Sequence, residues 1–181
     1  MESPYLYSYD FSENKTVVSD GSGKSYLFDE NGDILFQIQG SIDRLSEGMA
    51  VIRKDLENYR ILCGYINDEG KVIIEPQYQW AEGFSEGRAF VGISEGRFGI
   101  IDKEGKVVKE IQGDRISGLS EDTCIFVKTS SDNMDKYGYM TTNGEVILDA
   151  VYTDAYEFKD GLAIVNAASD YDNKYGVINK A

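Results

Sequence analysis

The chain has no histidine, two prolines, two cysteines and no long apolar run. Histidine is the commonest general base and a common metal ligand, so its absence removes Ser-His-Asp and Cys-His catalysis and most zinc sites. Two prolines in 181 residues argue against a long flexible linker. Cys63 and Cys124 stand in non-equivalent places of the pattern described below. They read as small buried hydrophobes, not as a disulfide framework or a reactive thiol. No stretch reaches the 18 or more apolar residues of a membrane-spanning helix. The N-terminal Met-Glu-Ser-Pro-Tyr has neither the basic nor the apolar region of a signal peptide. Bases are scarce: 18 against 32 acids, a formal charge of −14. That sign repels phosphate backbones and excludes nucleic acid as an expected partner. Gly-x-Gly-x-x-Gly, P-loop and Cys-x-x-Cys motifs are missing as well.

What is present is a repeat. Its clearest copy runs from Gly64 to Val91. With Gly70 as anchor, Gly32, Gly105 and Gly144 are its counterparts, at spacings of 38, 35 and 39 residues. A second anchor follows 16 or 17 residues later: Gly48, Gly87, Asp122 and Gly161, each preceded by an acid (Glu47, Glu86, Glu121, Asp160). Three residues before it stands a large apolar residue: Leu45, Phe84, Leu119, Phe158. Partial copies lie at both ends, with Phe11-Ser-Glu-Asn14 matching Phe84-Ser-Glu-Gly87 and Lys174-Tyr-Gly176 matching Lys136-Tyr-Gly138. One repeat domain therefore fills residues 1–181: a partial unit 1–23, units 24–61, 62–96, 97–135 and 136–173, and a partial unit 174–181.

Turn chemistry gives each unit its strands. Asp29-Glu-Asn-Gly32, Asn67-Asp-Glu-Gly70, Asp102-Lys-Glu-Gly105 and Thr141-Thr-Asn-Gly144 each put a short polar side chain first and glycine fourth. That is a type I turn closed by a glycine bulge, so Gly32, Gly70, Gly105 and Gly144 are the structural turn glycines of β-hairpins. Asp29-Glu-Asn-Gly-Asp33 opens like an EF-hand loop, but the twelfth position is Gly40, not an acid. A linker of about ten residues follows each second strand, with room for at most one helical turn. Acids at the turns and linkers read as solubility. A strand glycine leaves a gap that a neighbouring aromatic ring can cover. The longer loops, 53–62, 127–136 and 166–174, join units.

The string aromatic-Gly-Tyr-Ile-x-x-x-Gly-Lys-Val-Ile…Phe-Ser-Glu-Gly-x-Ala resembles the WG-repeat family of bacterial proteins. Residues 62–96 match most fully; Cys63 and Ser25 replace the aromatic, and Tyr26 replaces its glycine. The resemblance implies a β-rich tandem array, common in bacteria and often tied to the cell envelope. It implies no catalytic residue, metal, cofactor or particular ligand. The chain opens in mid-unit, as an excised fragment of a cytoplasmic or envelope-associated protein would, so the compartment stays open.

The expectation is an all-β tandem repeat of about 35–39 residues per unit, three short antiparallel strands each. An open curved or spiral array is favoured over a closed five-unit propeller-like ring. The function expected is that of a non-enzymatic scaffold binding a protein, with a glycan or envelope ligand as the alternative and hydrolysis third. Candidate ligand-binding side chains are Trp80, Tyr7 and Tyr156. Trp80 shares its slot with Tyr7, Ser41, Arg115 and Asp154, and Tyr156 shares one with Asp43, Glu82 and Ser117. Polar company of this kind marks an exposed position. Tyr78 and Tyr152, which alternate with Gly40 and Gly113, are expected to fill gaps between units.

Overall fold

A computed structural model describes residues 5–56, 60–112, 115–131, 133–167 and 174–180; the side chains of residues 5 and 6 are excluded. The middles of the three longer loops and Gly113 lie outside the described residues. Within them every regular element is a strand, and no helix is long and apolar enough to cross a membrane.

Among the described residues nineteen strands form five antiparallel sheets. Sheet 1 is β1 (Tyr5–Ser8), β2 (Lys15–Asp20), β3 (Lys24–Asp29) and β4 (Ile34–Gln39); sheet 2 is β5 (Ser41–Ile42), β6 (Met49–Asp55), β7 (Ile61–Asn67) and β8 (Val72–Tyr78). Sheet 3 is β9 (Trp80–Ala81), β10 (Ala89–Ser94), β11 (Arg97–Ile101) and β12 (Val107–Gln112); sheet 4 is β13 (Arg115–Ser120), β14 (Thr123–Thr129), β15 (Asp135–Thr141) and β16 (Val146–Tyr152). Sheet 5 is β17 (Asp154–Ala155), β18 (Leu162–Asn166) and β19 (Tyr175–Asn179). Each is a meander in chain order. The sheets straddle the sequence units: sheet 3 joins the back of residues 62–96 to the front of residues 97–135.

The first anchor behaves as its chemistry dictates. Gly32, Gly70, Gly105 and Gly144 have φ of 86°, 83°, 80° and 84°. The Gly70 N–H donates to the Asn67 carbonyl at 3.1 Å, and Asn67 Oδ1 accepts from the amides of Glu69 and Lys71 at 3.1 and 2.8 Å.

The linker is more structured than expected. It holds a two-residue strand (β5, β9 or β17), or in residues 97–135 the six-residue β13, and then a tight hairpin at the second anchor. There Ser85 and Arg88 exchange both backbone hydrogen bonds, at 2.8 and 3.0 Å, around Glu86 (φ 54°) and Gly87 (φ 72°). Two successive left-handed residues make a type I′ turn, which suits the strand twist. Glu13-Asn14, Glu47-Gly48, Glu121-Asp122 and Asp160-Gly161 repeat that conformation.

The acids at this anchor are not only solubilising. Four of them, Glu13, Glu47, Glu86 and Glu121, reach across to the turn of the next sheet. Glu13 accepts from the Gly48 amide at 2.8 Å, Glu47 from Gly87 at 3.0 Å, Glu86 from Glu121 and Asp122 at 2.8 and 2.6 Å, and Glu121 from Gly161 at 3.1 Å. Serines beside them add a second strut: the hydroxyls of Ser12, Ser46 and Ser120 donate to the carbonyls of Leu45, Phe84 and Phe158 at 2.8, 2.5 and 2.8 Å. Hydrogen bonds to charged groups are the stronger kind, so the row of acids ties sheet to sheet.

The strand glycines differ from one another in what fills the gap. Opposite Gly64, β8 bulges between Ile74 and Tyr78. A Cβ on Gly64 would meet the Ile74 carbonyl, with the Pro76 nitrogen at 2.6 Å, so backbone and not a ring fills the gap. At Gly138 the backbone of Leu148 and Ala150 is joined by the Phe126 ring tip, 2.7 Å from where a Cβ would sit.

Four apolar layers separate the five sheets. Leu27 and Val17 pack on Leu45 and Ile42; Tyr65, Val51 and Tyr78 on Phe84 and Val91; Phe90 and Ile100 on Ile116 and Phe126; Tyr139 and Ile125 on Phe158 and Val165. Tyr78 is buried and Tyr152 packs at the last layer, as gap-filling requires. Cys63 and Cys124 are buried and unbridged; burial lifts both thiols, Cys124 to about 12. Phe11 and Val177 hold the places that Phe84 and Tyr65 fill at an interior layer, yet they are 61% and 66% exposed. The first and last sheets therefore share no apolar layer among the described residues, and the array is open.

Candidate functional site

Tyr65 and Tyr139 explain how the candidate site is held. Both rings are fully buried and stand edge-on to Phe84 and Phe158, with centroids 4.9 Å apart in each case. Their hydroxyls donate to the carbonyls of Glu82 and Tyr156 at 2.7 Å. Burial raises both phenols above their ordinary value, Tyr139 to about 12, so they remain donors throughout the ordinary pH range. The residue two places before each large apolar anchor is thereby pinned by its backbone, and its side chain points elsewhere.

That slot and its neighbour line a common opening. A cavity of about 630 Å³ is walled by Tyr9 and Asp10 of the first repeat, Asp43 and Arg44, Glu82 and Gly83, Gly118, and Glu157. These are the same two repeat positions, contributed beside all five sheets. An adjoining cavity of about 640 Å³ shares Gly118 and Glu157 and reaches Tyr156 between the fourth and fifth sheets. The sheets thus turn about one axis, as the blades of a propeller do.

The charged side chains of the lining are four acids, Asp10, Asp43, Glu82 and Glu157, and one base, Arg44. Asp43 is neutralised by Arg53, whose Nη2 lies 2.6 Å from its Oδ2, and it accepts the Tyr9 hydroxyl at 3.1 Å. Gly118 leaves room for Glu157, whose Cγ lies 2.8 Å from where a Cβ would be. Glu82 is pushed up to about 7, first by burial and then by the Glu157 charge. Between 4.5 and about 7 the folded chain keeps a proton that the unfolded chain has released, so Glu82 makes stability fall as pH rises through that window. Glu82→Gln should therefore raise the melting temperature at pH 8 and leave it nearly unchanged at pH 4. The gain at pH 8 is on the order of 1 kcal/mol, because a partly solvated carboxylate gives less than its pKa alone implies. Equal melting curves for the two proteins at pH 8 would contradict this.

The three sequence candidates lie on three different sheets and are not gathered into one cluster. Trp80, on β9, is 37% exposed, stands opposite Gly92, and meets Phe98 edge-on at 6.5 Å. Gly92 makes room for it: a Cβ there would be 3.3 Å from the Trp80 Cβ. Tyr7, on β1, is 74% exposed. Tyr156 is 51% exposed beside Asp154 and Tyr175, and it alone of the three reaches the central cavities. The acids Asp10, Glu82 and Glu157, together with Tyr9, were not singled out from sequence. Their signal was there, in the variable pair that precedes each large apolar anchor. Among the described residues no group of three or more cysteine or acidic side chains gathers as metal ligands would.

Residues 64–94 and 137–167 match the WG containing repeat. No curated protein is significantly similar to the chain. Among solved structures, the computationally designed Ika8 protein is similar at 17% identity and a TM-score of 0.52, over 94% of this chain and 57% of that one. BamB from Moraxella catarrhalis is similar at 15% and 0.50, over 93% and 56%. A eukaryotic initiation factor is similar at 11% and 0.65, over 97% and 52%. At these identities the likeness is one of fold. The chain spans little more than half the length of each.

Proposed function

This chain carries WG repeats, and from that premise we propose that it is a non-catalytic scaffold whose central opening binds a cationic segment of a protein partner. One observation carries the reading: the repeat keeps its frame constant and varies the pair that lines the opening. Tyr-Asp, Asp-Arg, Glu-Gly, Ser-Gly and Tyr-Glu occupy one site five times over. Asp10 and Glu157 supply negative charge there, Glu82 adds to it as pH rises past about 7, and Tyr9 and Tyr156 supply rings that accept a Lys or Arg head group. The recurrent acids that would be the other source of paired carboxylates, Glu47, Glu86 and Glu121, are bound to backbone amides. Trp80 extends the surface as an anchor beyond the opening.

A glycan is the second reading. It is favoured by the Tyr156 and Tyr175 rings, 6.4 Å apart, beside Asp154.

Capture from cell lysate and envelope fractions, run side by side with wild type, Glu157→Lys and Trp80→Ala, separates the two. The scaffold reading expects a protein retained by wild type at low salt, released at high salt and lost with Glu157→Lys. Trp80→Ala should weaken its binding by about 1–3 kcal/mol, the range of an interface anchor, with little change in melting temperature. Retention of the same proteins by all three baits would overturn it. A polysaccharide held through high salt would favour the glycan.

A further inference from the structure

Each junction between neighbouring sheets has a place for one aromatic ring, and one junction lacks the ring. The place lies eight residues after each turn glycine: Gly40, Tyr78, Gly113 and Tyr152. Its partner place, four residues after the second anchor, holds Ile52, Val91, Phe126 and Val165. Between sheets 2 and 3 the buried Tyr78 packs with Val91, Ile93 and Ile101. Between sheets 4 and 5 Tyr152 packs with Val165. Between sheets 3 and 4 the sequence has Gly113, and the ring comes from the partner place: Phe126 is buried in that layer, against Gly138. Between sheets 1 and 2 neither place has a ring, since they hold Gly40 and Ile52.

That junction contains a cavity of about 670 Å³. Gly40, Ile52 and Ile66 line it, and their counterparts one junction further on, Tyr78, Val91 and Ile101, pack together. Its size is that of small-molecule pockets, roughly 300–1,000 Å³. Ile38 and Val72 widen the apolar floor, and the described lining has no aromatic side chain. The chain is kept from filling the gap itself. Gly40 has φ 124°, and a Cβ on it would lie 3.0 Å from the Arg53 carbonyl.

The rim says what kind of molecule fits. Lys54 stands there, and its repeat counterpart Lys128 holds its Nζ 5.5 Å from the centroid of the Phe126 ring. Lys54 is thus the cation of a ring-capping pair whose ring this junction omits. Asp55 and Glu75 share the lining, and Arg53 is taken by Asp43. The rim therefore bears both signs and selects neither an anion nor a cation. The Gln39 amide nitrogen donates to the Ser22 and Gly23 carbonyls at 3.3 and 3.2 Å, which leaves its own oxygen to accept from a hydroxyl.

We propose that this cavity binds a small uncharged aromatic molecule of the phenol type, its ring in the place of the Tyr78 ring and under the Lys54 ammonium. The cavity shares no lining residue with the central opening among the described residues, so the site is a second one, independent of the scaffold reading.

Titration of para-cresol, the tyrosine side chain as a free molecule, into the isotope-labelled whole chain tests this by NMR. The amides of Gly40, Ile52 and Ile66 should shift together and saturate. Methylcyclohexanol, of similar size but without ring electrons, should bind at least about threefold more weakly. Ile52→Phe supplies from within the ring that Phe126 supplies to its own junction, and it should weaken para-cresol binding at least about tenfold. Lys54→Met changes an exposed side chain, and it should weaken binding roughly two- to fivefold with no change in melting temperature. No saturating shift at these amides in wild type overturns the proposal. So does methylcyclohexanol binding as tightly as para-cresol, or undiminished binding by a folded Ile52→Phe. If Ile52→Phe does not fold, undiminished binding by Lys54→Met overturns it instead.

Discussion

Phe84→Ala is expected to destabilise the fold by about 3–5 kcal/mol, the cost of emptying a large aromatic site in a close-packed interior. Phe84 is fully buried in the layer between sheets 2 and 3. Its ring supports Tyr65, whose hydroxyl pins Glu82, and its carbonyl receives the Ser46 hydroxyl. Removing the ring therefore weakens a junction and loosens the lining of the central opening together. In a repeat array each sheet draws stability from its neighbours, so the damage should be local at first. Hydrogen exchange should speed up in β7 and β10 before β15 changes, and urea titration should give the total. Leu162→Ala, on the exposed face of sheet 5, should by contrast fall within about 0.5 kcal/mol of wild type if the protein is measured as a monomer. A loss below about 1 kcal/mol for Phe84→Ala would mean that the layer does not carry the stability assigned to it.

How much of this could be read in the sequence depends on whether a feature is local. Asn67 and Gly70 reveal a turn because the asparagine side chain and the glycine backbone act within five residues of one another. The hairpins around the four turn glycines were legible for that reason. Trp80 was legible as an exposed ring because its repeat-mates are polar. Glu86 was not legible as a strut. Its partners, Glu121 and Asp122, lie 35 and 36 residues away, and a surface acid looks the same whether it meets water or an amide. The type I′ turn at Glu86-Gly87 was hidden too, since glutamate is not a usual left-handed residue, and its conformation is held by the hairpin and the neighbouring sheet. Strands β5, β9 and β17 have two residues each, too few to show any period. Gly64 signalled a close approach, but only the register of β7 on β8 says that backbone makes it. The central opening depends on curvature summed over five sheets, so the pair Glu82-Gly83 and its counterparts gave no sign that they converge.

Gly70→Val should cost about 3 kcal/mol, from two sources that can be measured apart. The first is conformational. Gly70 sits at φ 83°, where a β-branched residue is strained, and this contributes roughly 1–2 kcal/mol. The second is steric. A Cβ at Gly70 would lie 2.8 Å from Phe36 Cγ, in the ring that packs beneath the turn from the preceding sheet, and overpacking there adds roughly 1–2 kcal/mol. Gly87 isolates the first source, because it has φ 72° and nothing within 4 Å of its would-be Cβ. Gly87→Val should therefore lose only the conformational part. Gly87→Asn should lose less than about 0.5 kcal/mol, since asparagine tolerates this region and Asn14 and Asp122 already occupy the equivalent place at φ 57° and 58°. Phe36→Ala made in the Gly70→Val background should recover part of the steric loss, although alone it would destabilise. The five proteins are compared by urea unfolding at one temperature. Equal losses for Gly70→Val and Gly87→Val would show that Phe36 yields at no cost, and the contact between that ring and the turn would then not be one that holds sheet 1 to sheet 2.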